Sequence, residues 1–374
     1  MKVLHIANDF EFGGLQNYLF LILKGLKGEK IQCGIVAVAG IGKFEKNFKN
    51  LNIPVKYFDC IIRIGKYIRF INIINVIKLA IWIKKSRFDI VNTHLFLGGL
   101  IGRTAAILAG VKCIFHTVHS TYYWKKFYHL IFDRILFLFT KKVICDSNTV
   151  REFTIKQWKV SPEKFIVIHT GIDIDKFNIS SVKKKVIRKS LGIKKNEKVI
   201  ISTGRLYKTK RFPFLIDIFY EVVKQCPQTR LIIAGDGPEY KLVVKKIKEL
   251  NLEQNVIMTG YIENIEKLLP AGDIFVLPTE VEGCPLSFIE AMASKIPVVG
   301  SDIPALREVV SKNNGVLCQL DDKKCFVWNI VKILNNKRLL HLLGKNGYKI
   351  AKEKFYYKSV IGKLTILYRG CKNA

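Results

Sequence analysis

Two glutamates eight positions apart, Glu282 and Glu290, stand in the stretch PTEVEGCPLSFIEAMASKIPVVGSD, residues 278–302. Glu282 precedes a loop, whereas Glu290 falls inside the helical pattern LSFIEAMAS, on a face otherwise built of apolar residues. A carboxylate there loses its hydration and needs hydrogen-bonding partners. The vicinal hydroxyls of a ribose would serve; capping of a neighbouring loop is the other reading. The start of the same helix, at Leu286 and Ser287, offers N–H groups that suit a phosphate. Earlier, STGRLYKTKR sets Arg205 and Lys210 just past an apolar run. A planar guanidinium fork and a movable ammonium can clamp a diphosphate between them, although in a lysine-rich chain they also fit a solvated loop. A third candidate is Gly13-Gly14 in HIANDFEFGGLQNYL, residues 5–19, between an apolar run and a helical pattern. Bare backbone at a helix start welcomes an anion, and a loop needing positive φ would select the same pair. The spacing is not GxGxxG, and the next apolar run, CGIVAVAGIGK, ends without an acidic residue, which disfavours a dinucleotide.

These residues need scaffolds, and the chain has room for two. At 374 residues it exceeds one ordinary core, and 49% hydrophobic content with 10 prolines argues for packed domains. KVLHIA (2–7), CGIVAVA (33–39), DIVNTH (89–94), CIFHTVH (113–119) and KVICDS (142–147) read as buried strands separated by helical patterns. A second series follows: KVIISTG (198–204), TRLIIAGDG (229–237), NVIMTGY (255–261), DIFVLPT (273–279) and IPVVGSD (296–302). Alternation of this kind predicts an α/β fold of two Rossmann-like domains with parallel sheets, whose strand ends face a cleft. The expected division is a first domain over 1–175, a charged link over 176–195, a second domain over 196–350, and a terminal segment over 351–374 that packs back on the first domain as a helix.

The net charge is +32. Nucleic acid, anionic lipid and a codon bias toward Lys, Ile and Asn are its three possible sources. Lysines dominate and are dispersed, unlike the Arg-rich, aromatic-laced track of a nucleic-acid groove, so no nucleic-acid partner is expected. The opening MKVLHIA reaches Asp9 before an h-region forms, which predicts a cytoplasmic protein. INIINVIKLAIWI (71–83) and LIFDRILFLF (130–139) are too short or too broken by charge to span roughly 30 Å of hydrocarbon. Within the wider stretches 66–85 and 122–142, basic and aromatic residues mix with aliphatic ones. Such helices either lie in a membrane interface against anionic lipid or serve as core helices with solvated lysines. Nine cysteines without a CxxC pair or a Cys/His cluster predict reduced thiols.

EGCPLSFIE followed by AMASKIPVVGSDIPALREVV resembles the E-x7-E signature of the family 4 glycosyltransferases, retaining enzymes of GT-B fold also called group 1. GGLQ, HTGID, GRLYKTK, AGDGPE and GYI fall in that family's order, so the resemblance spans nearly the whole chain. It implies a nucleotide-sugar donor; the lack of a metal-ligand cluster in the sequence fits a reaction with no metal or other cofactor, and the basic amphipathic stretches 66–85 and 122–142 point to a lipid-linked or envelope polysaccharide acceptor reached from the inner face of the membrane. Carried over by residue, it assigns Arg205 and Lys210 to the diphosphate and Glu290 to the ribose. Glu282, Gly283, Cys284, Leu286 and Ser287 would meet the donor sugar. Gly14 would border the phosphates, Gly235 would line the nucleotide site, and Tyr261 and Ile262 would contact the base. His119 would lie near sugar and acceptor, with Gln16 on the acceptor side. Arg211 stands where that family's motif has glycine, and Cys284 replaces a bulkier apolar residue. Two alternatives accompany this reading: a nucleotide-sugar epimerase or hydrolase of the same fold, and a basic nucleic-acid-binding protein.

Overall fold

A computed structural model describes residues 1–11, 13–64, 68–123, 125–177 and 181–372. Outside the described residues lie 66–67 of the stretch 66–85, Trp124 of 122–142, 178–180 of the expected link, and 373–374. The chain divides into two compact units, Met1–Ile172 with Tyr357–Ala374, and Asp173–Tyr356.

The first unit begins β1 (Lys2–Ala7), α1 (Gly14–Gly28), β2 (Gln32–Ala37), α2 (Glu45–Lys49), β3 (Val55–Tyr57), β4 (Ile61–Ile64), β5 (Ile68–Ile71) and α3 (Ile73–Ser86). It continues β6 (Ile90–His94), α4 (Phe96–Leu108), β7 (Cys113–Val118), α5 (Phe127–Leu138), β8 (Lys142–Cys145), α6 (Asn148–Trp158) and β9 (Phe165–Val167). Seven strands form one parallel sheet in the order β3-β2-β1-β6-β7-β8-β9, and β4 and β5 make a separate antiparallel hairpin. Alternate residues of β1 enter different cores. Val3 and Ala7 pack with α1 residues such as Leu19 and Leu23, while Leu4 and Ile6 pack with Leu79 and Ile83 of α3 and Ala105 of α4. Both faces of the sheet are therefore covered, which is why its strands read as continuous apolar runs.

The second unit comprises α7 (Ser181–Ser190), β10 (Lys198–Thr203), α8 (Phe212–Gln225), β11 (Thr229–Ala234), α9 (Tyr240–Glu249), β12 (Val256–Gly260), β13 (Ile274–Leu277) and α10 (Leu286–Ala293). After these come β14 (Val298–Ser301), α11 (Pro304–Arg307), β15 (Gly315–Cys318), α12 (Lys323–Asn335) and α13 (Lys337–Lys354). Its six parallel strands run β12-β11-β10-β13-β14-β15. Both sheets have the doubly wound order in which direction reverses beside the first strand, at β1/β6 and at β10/β13. Ligands of such sheets bind outside the carboxyl ends at that reversal.

Several readings change. Residues 68–71 of the stretch 66–85 are a strand, and the helix begins only at Ile73, where Asn72 caps it by accepting from the Asn75 N–H. β3, β9 and β15 are edge strands of three or four residues, too short to announce themselves as apolar runs. Segment 176–195 is not a free link: α7 belongs to the second unit, and Ile193 is buried there. The terminal pattern splits at Phe355–Tyr356 into α13 and α14 (Tyr357–Lys372), and α14 belongs to the first unit. There Tyr368 is fully buried and its hydroxyl accepts from the Asn92 side-chain amide at 2.8 Å. The cysteines are not all reduced either, since Cys113 is joined to Cys371 and Cys318 to Cys325. The first bond ties α14 to the sheet across 258 residues, a pairing that spacing alone does not reveal.

Asp273, just before β13, anchors α7. Its carboxylate meets Lys184 Nζ at 3.0 Å and Arg188 at 2.7 Å and accepts from the Val199 backbone N–H at 2.9 Å. Desolvation works against its ionisation, but the two cations outweigh it and hold the carboxyl below the usual range. Removing one partner of a charged hydrogen bond costs roughly 1.5–3 kcal/mol. Asp273→Ala is therefore expected to lower the urea midpoint of the second unit, and an unchanged midpoint would show that α7 is held by other contacts.

Candidate functional site

In the second unit, the loops leaving the sheet at its reversal interlock. Gly204 N–H donates to Ala234 O at 3.0 Å, Gly235 N–H to Gly260 O at 2.8 Å, and Leu206 N–H to Asp236 O at 2.9 Å. Gly235 has φ +151°, and a Cβ there would stand 1.8 Å from Gly204 O, so no other residue fits. The loop after β10 is tied in turn to the loop after β13: Glu280 N–H donates to Thr209 O at 2.8 Å. Across that junction Lys210 Nζ meets Glu282 Oε1 at 2.5 Å. The ammonium expected to hold a diphosphate is thus held by the first glutamate of the pair. Arg205 is exposed on the same loop.

Arg211 adopts φ +57°, the left-handed conformation glycine tolerates best, which accounts for glycine at this place in the resembling family. Its guanidinium pairs with Glu280 at 3.3 Å and with Asp321, and lies over the Phe214 ring at 4.4 Å. Loop shape is kept by side-chain contacts in place of a glycine.

Helix α10 follows the Gly283–Cys284 turn, with Pro285 at its cap, no side-chain capping bond, and no acidic residue in its first turn. Leu286 N–H donates to Cys284 O at 2.9 Å, and Leu286, Ser287 and Cys284 are half-buried. Phe288, Ile289, Ala291 and Met292 are fully buried, which fixes the helix against the sheet. Glu290, expected to have partners, has no side-chain hydrogen bond among the described residues. Burial pushes its carboxyl up to about 8, and the nearby Glu266 adds to the shift. Tyr261 is exposed and Ile262 half-buried on the loop after β12.

In the first unit, α1 opens at Gly14 without a side-chain cap. Gly13 has φ 179°, an extended conformation open to any residue, so positive φ does not explain the glycine pair. Gln16 is buried, and its amide donates to Asp9 O and Asp9 Oδ1, each at 3.2 Å. That amide braces the loop after β1 instead of standing free for a hydroxyl. His119 packs against the edge of Tyr18 from α1 at 5.6 Å and lies 3.7 Å from Asp146 Oδ2. Sequence reasoning missed Tyr18, Asp146, His5 and His94, the last two lying in the strands beside His119. The signal for the two missed histidines is their place at an apolar strand, His5 in HIAND and His94 in NTH. Beside Asp9 lies a cavity of about 770 Å³ lined by Asn8, Asp9, Glu11, Tyr57 and Asp59.

Asp173 and Asp175 form an Asp-x-Asp triplet, with Asp175 accepting from the Tyr356 hydroxyl at 2.6 Å. Among the described residues no three His, Cys, Asp or Glu side chains are grouped to hold a metal.

The profile described as glycosyl transferases group 1 matches residues 183–350, and that described as glycosyltransferase family 4 matches residues 12–176. The chain is 32% identical over 282 residues to the UDP-Gal:alpha-D-GlcNAc-diphosphoundecaprenol alpha-1,3-galactosyltransferase of Escherichia coli, covering 73% of each chain. The chain belongs to glycosyltransferase family 4. It is also 31% identical to the alpha-monoglucosyldiacylglycerol synthase of Streptococcus pneumoniae, over 61% of this chain and 55% of that protein. Its fold is that of the Anabaena protein HepE in complex with UDP and glucose, with TM-score 0.87, 22% identity and coverage of 99% and 100%. The S. aureus protein TarM is similar as well, with TM-score 0.78, 17% identity and 98% coverage of both chains. This family 4 member is a glycosyltransferase of GT-B fold.

Glu290 supplies a pH signature. A carboxyl raised in the folded state stabilises the fold while it stays protonated, and that contribution is lost as pH rises from about 4.5 to about 8. Glu290→Gln cannot ionise, so its Tm relative to the parent is expected to rise across that window. A difference that stays flat with pH would mean that Glu290 is ionised in the free enzyme.

Proposed function

We propose that this enzyme transfers a hexosyl or N-acetylhexosaminyl group, with retention at the anomeric carbon, from a UDP-sugar to a lipid-linked or cell-envelope polysaccharide acceptor. The observation that carries the reading is Glu290, a half-buried carboxyl with a raised pKa and no side-chain hydrogen bond among the described residues, on a helix otherwise locked in the core. Two ribose hydroxyls would complete its hydrogen bonds. The Escherichia coli relative, named for a UDP-sugar donor and a diphosphoundecaprenol-linked acceptor, supports both halves of the proposal.

Departure of the nucleoside diphosphate develops negative charge, and groups aimed at that charge lower the barrier. Arg205, Lys210 and the uncapped start of α10 are the residues for it, with no metal or other cofactor required. Glu282 would pass Lys210 to the phosphates and turn toward the sugar. Losing one charge-assisted bond costs roughly 1.5–3 kcal/mol, so Arg205→Ala or Lys210→Ala is expected to lower turnover by about ten- to a hundredfold. Near-normal turnover in both variants would refute the assignment. In a thermal-shift screen UDP and UDP-sugars should raise Tm more than GDP or ADP, because a ligand of the folded state stabilises it. Equal shifts for all three nucleotides would remove UDP from the proposal.

On the acceptor side, Asp9, Glu11 and Asp59 line the cavity of the first unit. Carboxylates accept bonds from sugar hydroxyls and repel phosphate, which favours an acceptor presenting an uncharged sugar there.

Among the described residues no helix is long and apolar enough to cross a membrane. The surface of α5 nevertheless favours a peripheral seat on the inner face of one. Its inner side holds the buried Asp133, Leu136 and Phe137, whereas Phe127 (72% exposed), Phe132, Ile135 and Leu138 (71%) turn outward, one to three turns apart. Ile73, Ile74, Ile77 and Ile81 of α3 are likewise exposed. A core role explains none of these side chains, while an interfacial helix buries such a face among acyl chains with lysines at the headgroups; Lys126, Lys141 and Lys142 stand at the ends of α5. Liposome flotation should show binding to vesicles with anionic lipid, weakened by Phe132→Glu with Ile135→Glu. Absence of binding at low salt to any vesicle would sink the membrane part alone.

A further inference from the structure

Three imidazoles run as a file through the first unit, one from each of three adjacent strands or their ends. His5 of β1 and His94 closing β6 are each 1% exposed, and His119 follows β7. His5 Nδ1 lies 2.9 Å from His94 Nε2, and His94 Nδ1 lies 3.0 Å from His119 Nε2. The rings are nearly parallel, tilted 13° and 23°, with centroids 5.2 and 5.3 Å apart. Beyond His119, Nδ1 points at Asp146 Oδ2, and at the far end His5 Nε2 is buried with no hydrogen-bond partner among the described residues.

Each nitrogen–nitrogen contact holds one hydrogen, so neutral rings allow two settings. In one, every ring carries its proton on Nδ1: His5 donates to His94, His94 donates to His119, and the His119 N–H faces the Asp146 carboxylate. Only a lone pair on His5 is then unmet. In the other, every proton moves to Nε2, which buries an N–H of His5 without an acceptor and turns the His119 Nδ1 lone pair toward a carboxylate oxygen. An orphan buried donor is the rarer defect, and lone pair against carboxylate is repulsive. The first setting prevails.

The surroundings hold the file still. Tyr368 meets His5 edge-on at 6.3 Å, and Tyr18 does the same to His119. Asn92, next to His94 but one on β6, is held by the Tyr368 hydroxyl and by the Thr117 hydroxyl at 3.0 Å. Leu95, directly after His94, has φ +60° and ψ −174°, a region only glycine enters freely. Strain of that kind persists where the surroundings over-determine the backbone, and here it sits on the turn that aims His94. Burial also holds His5 down to about 3 and His94 well below the ordinary imidazole value, the latter with help from the neighbouring histidines.

We propose that His5 and His94 are positioning residues that lock His119 in its Nδ1–H tautomer, so that His119 enters the sugar-transfer site with its ring fixed and does not serve as the acceptor's base. This rests on the reading of the protein as a sugar transferase with His119 at its site. With Nε2 accepting from His94, the ring has no lone pair left for an acceptor hydroxyl, and its contribution becomes one of shape and ring-edge contact.

Histidine-selective nitrogen-15 labelling of the intact protein, read by long-range proton–nitrogen correlation at neutral pH, tests the lock, with His119→Gln identifying the signal. The expected spectrum shows a protonated Nδ1 and an unprotonated Nε2 on His119, the reverse of the free-imidazole preference. His94→Phe, which removes the donor, should shift that signal toward the Nε2–H form. It should also lower kcat by about tenfold or more while leaving the donor KM within about twofold. An Nε2–H or doubly protonated His119 in the parent, or a His119 signal that His94→Phe leaves unmoved, overturns the proposal. Should His94→Phe not fold, His5→Phe cuts the same file at its far end and is read the same way. Absence of any UDP-sugar shift in Tm would strike the transferase reading, which the tautomer measurement does not depend on.

Discussion

Every strand of the two main sheets runs parallel to its neighbours, so the chain must travel back to the opposite edge before each new strand begins. Every connection therefore leaves from one edge, and loops that are distant in sequence gather there. In the second unit this brings residues 204–211, 235–239, 260–262 and 278–285 to one rim, where backbone hydrogen bonds lace them together. The glycines are needed for that lacing more than for flexibility. With Gly204 O packed against Gly235, a single methyl group would force the first two loops apart and take Lys210 away from Glu282. The first unit repeats the arrangement at β1, β6 and β7, where the rim carries Gln16, His94 and His119.

Charge in this protein is arranged against its own average. A chain of net charge +32 puts carboxylates at its functional rim, and the two glutamates of the E-x7-E pair meet opposite environments. Glu282 faces an ammonium, while Glu290 faces none and is driven toward its neutral form. Elsewhere one buried carboxylate serves two cations: Asp133 on α5 meets Arg103 and Lys125, each at 2.6 Å. Burial lowers both cations' pKa even beside that carboxylate. Lys125 also lies 4.8–5.4 Å from the rings of Tyr122, Phe96 and Trp158, whose faces offset part of the excess positive charge. This polar anchor fixes the inner side of α5 and so explains how the helix keeps an apolar outer face without rolling it into the core.

Much of this was legible because buried parallel strands write themselves as apolar runs. Five strands of each sheet and the helix bearing Glu290 were visible in the sequence pattern. What stayed hidden depends on order in space. Nothing in HIAND, NTH and HTVH says that β1, β6 and β7 are consecutive in the sheet, so three histidines looked like three separate strand residues. The segment 176–195 looked like a link because its few apolar side chains are widely spaced; its attachment runs through Lys184 and Arg188 to an aspartate more than eighty residues away. Gln16 fits the acceptor side in sequence, which does not show that the preceding loop folds back to place Asp9 against its amide.

Arg211 shows how a departure from a family pattern can leave the site intact. A left-handed conformation costs a non-glycine residue about 1 kcal/mol or somewhat more, and glycine at this position would avoid it. Against that stand two ion pairs, with Glu280 and Asp321, and the stack on Phe214. Both carboxylates are substantially exposed, at 42% and 78%, so each pair contributes only about 0–1 kcal/mol, and the stack about 0.5–1 kcal/mol. The two sides come out nearly even, and the arginine is tolerated without strengthening the fold. What it changes is order, because the Arg211–Glu280 pair joins the loop of Lys210 to the loop of Glu282 by side chains as well as by backbone. The guanidinium is thereby committed to neighbours and is not available to the proposed diphosphate. Arg205 and Lys208 are left exposed on that loop, and Lys210 would meet a diphosphate only by leaving Glu282.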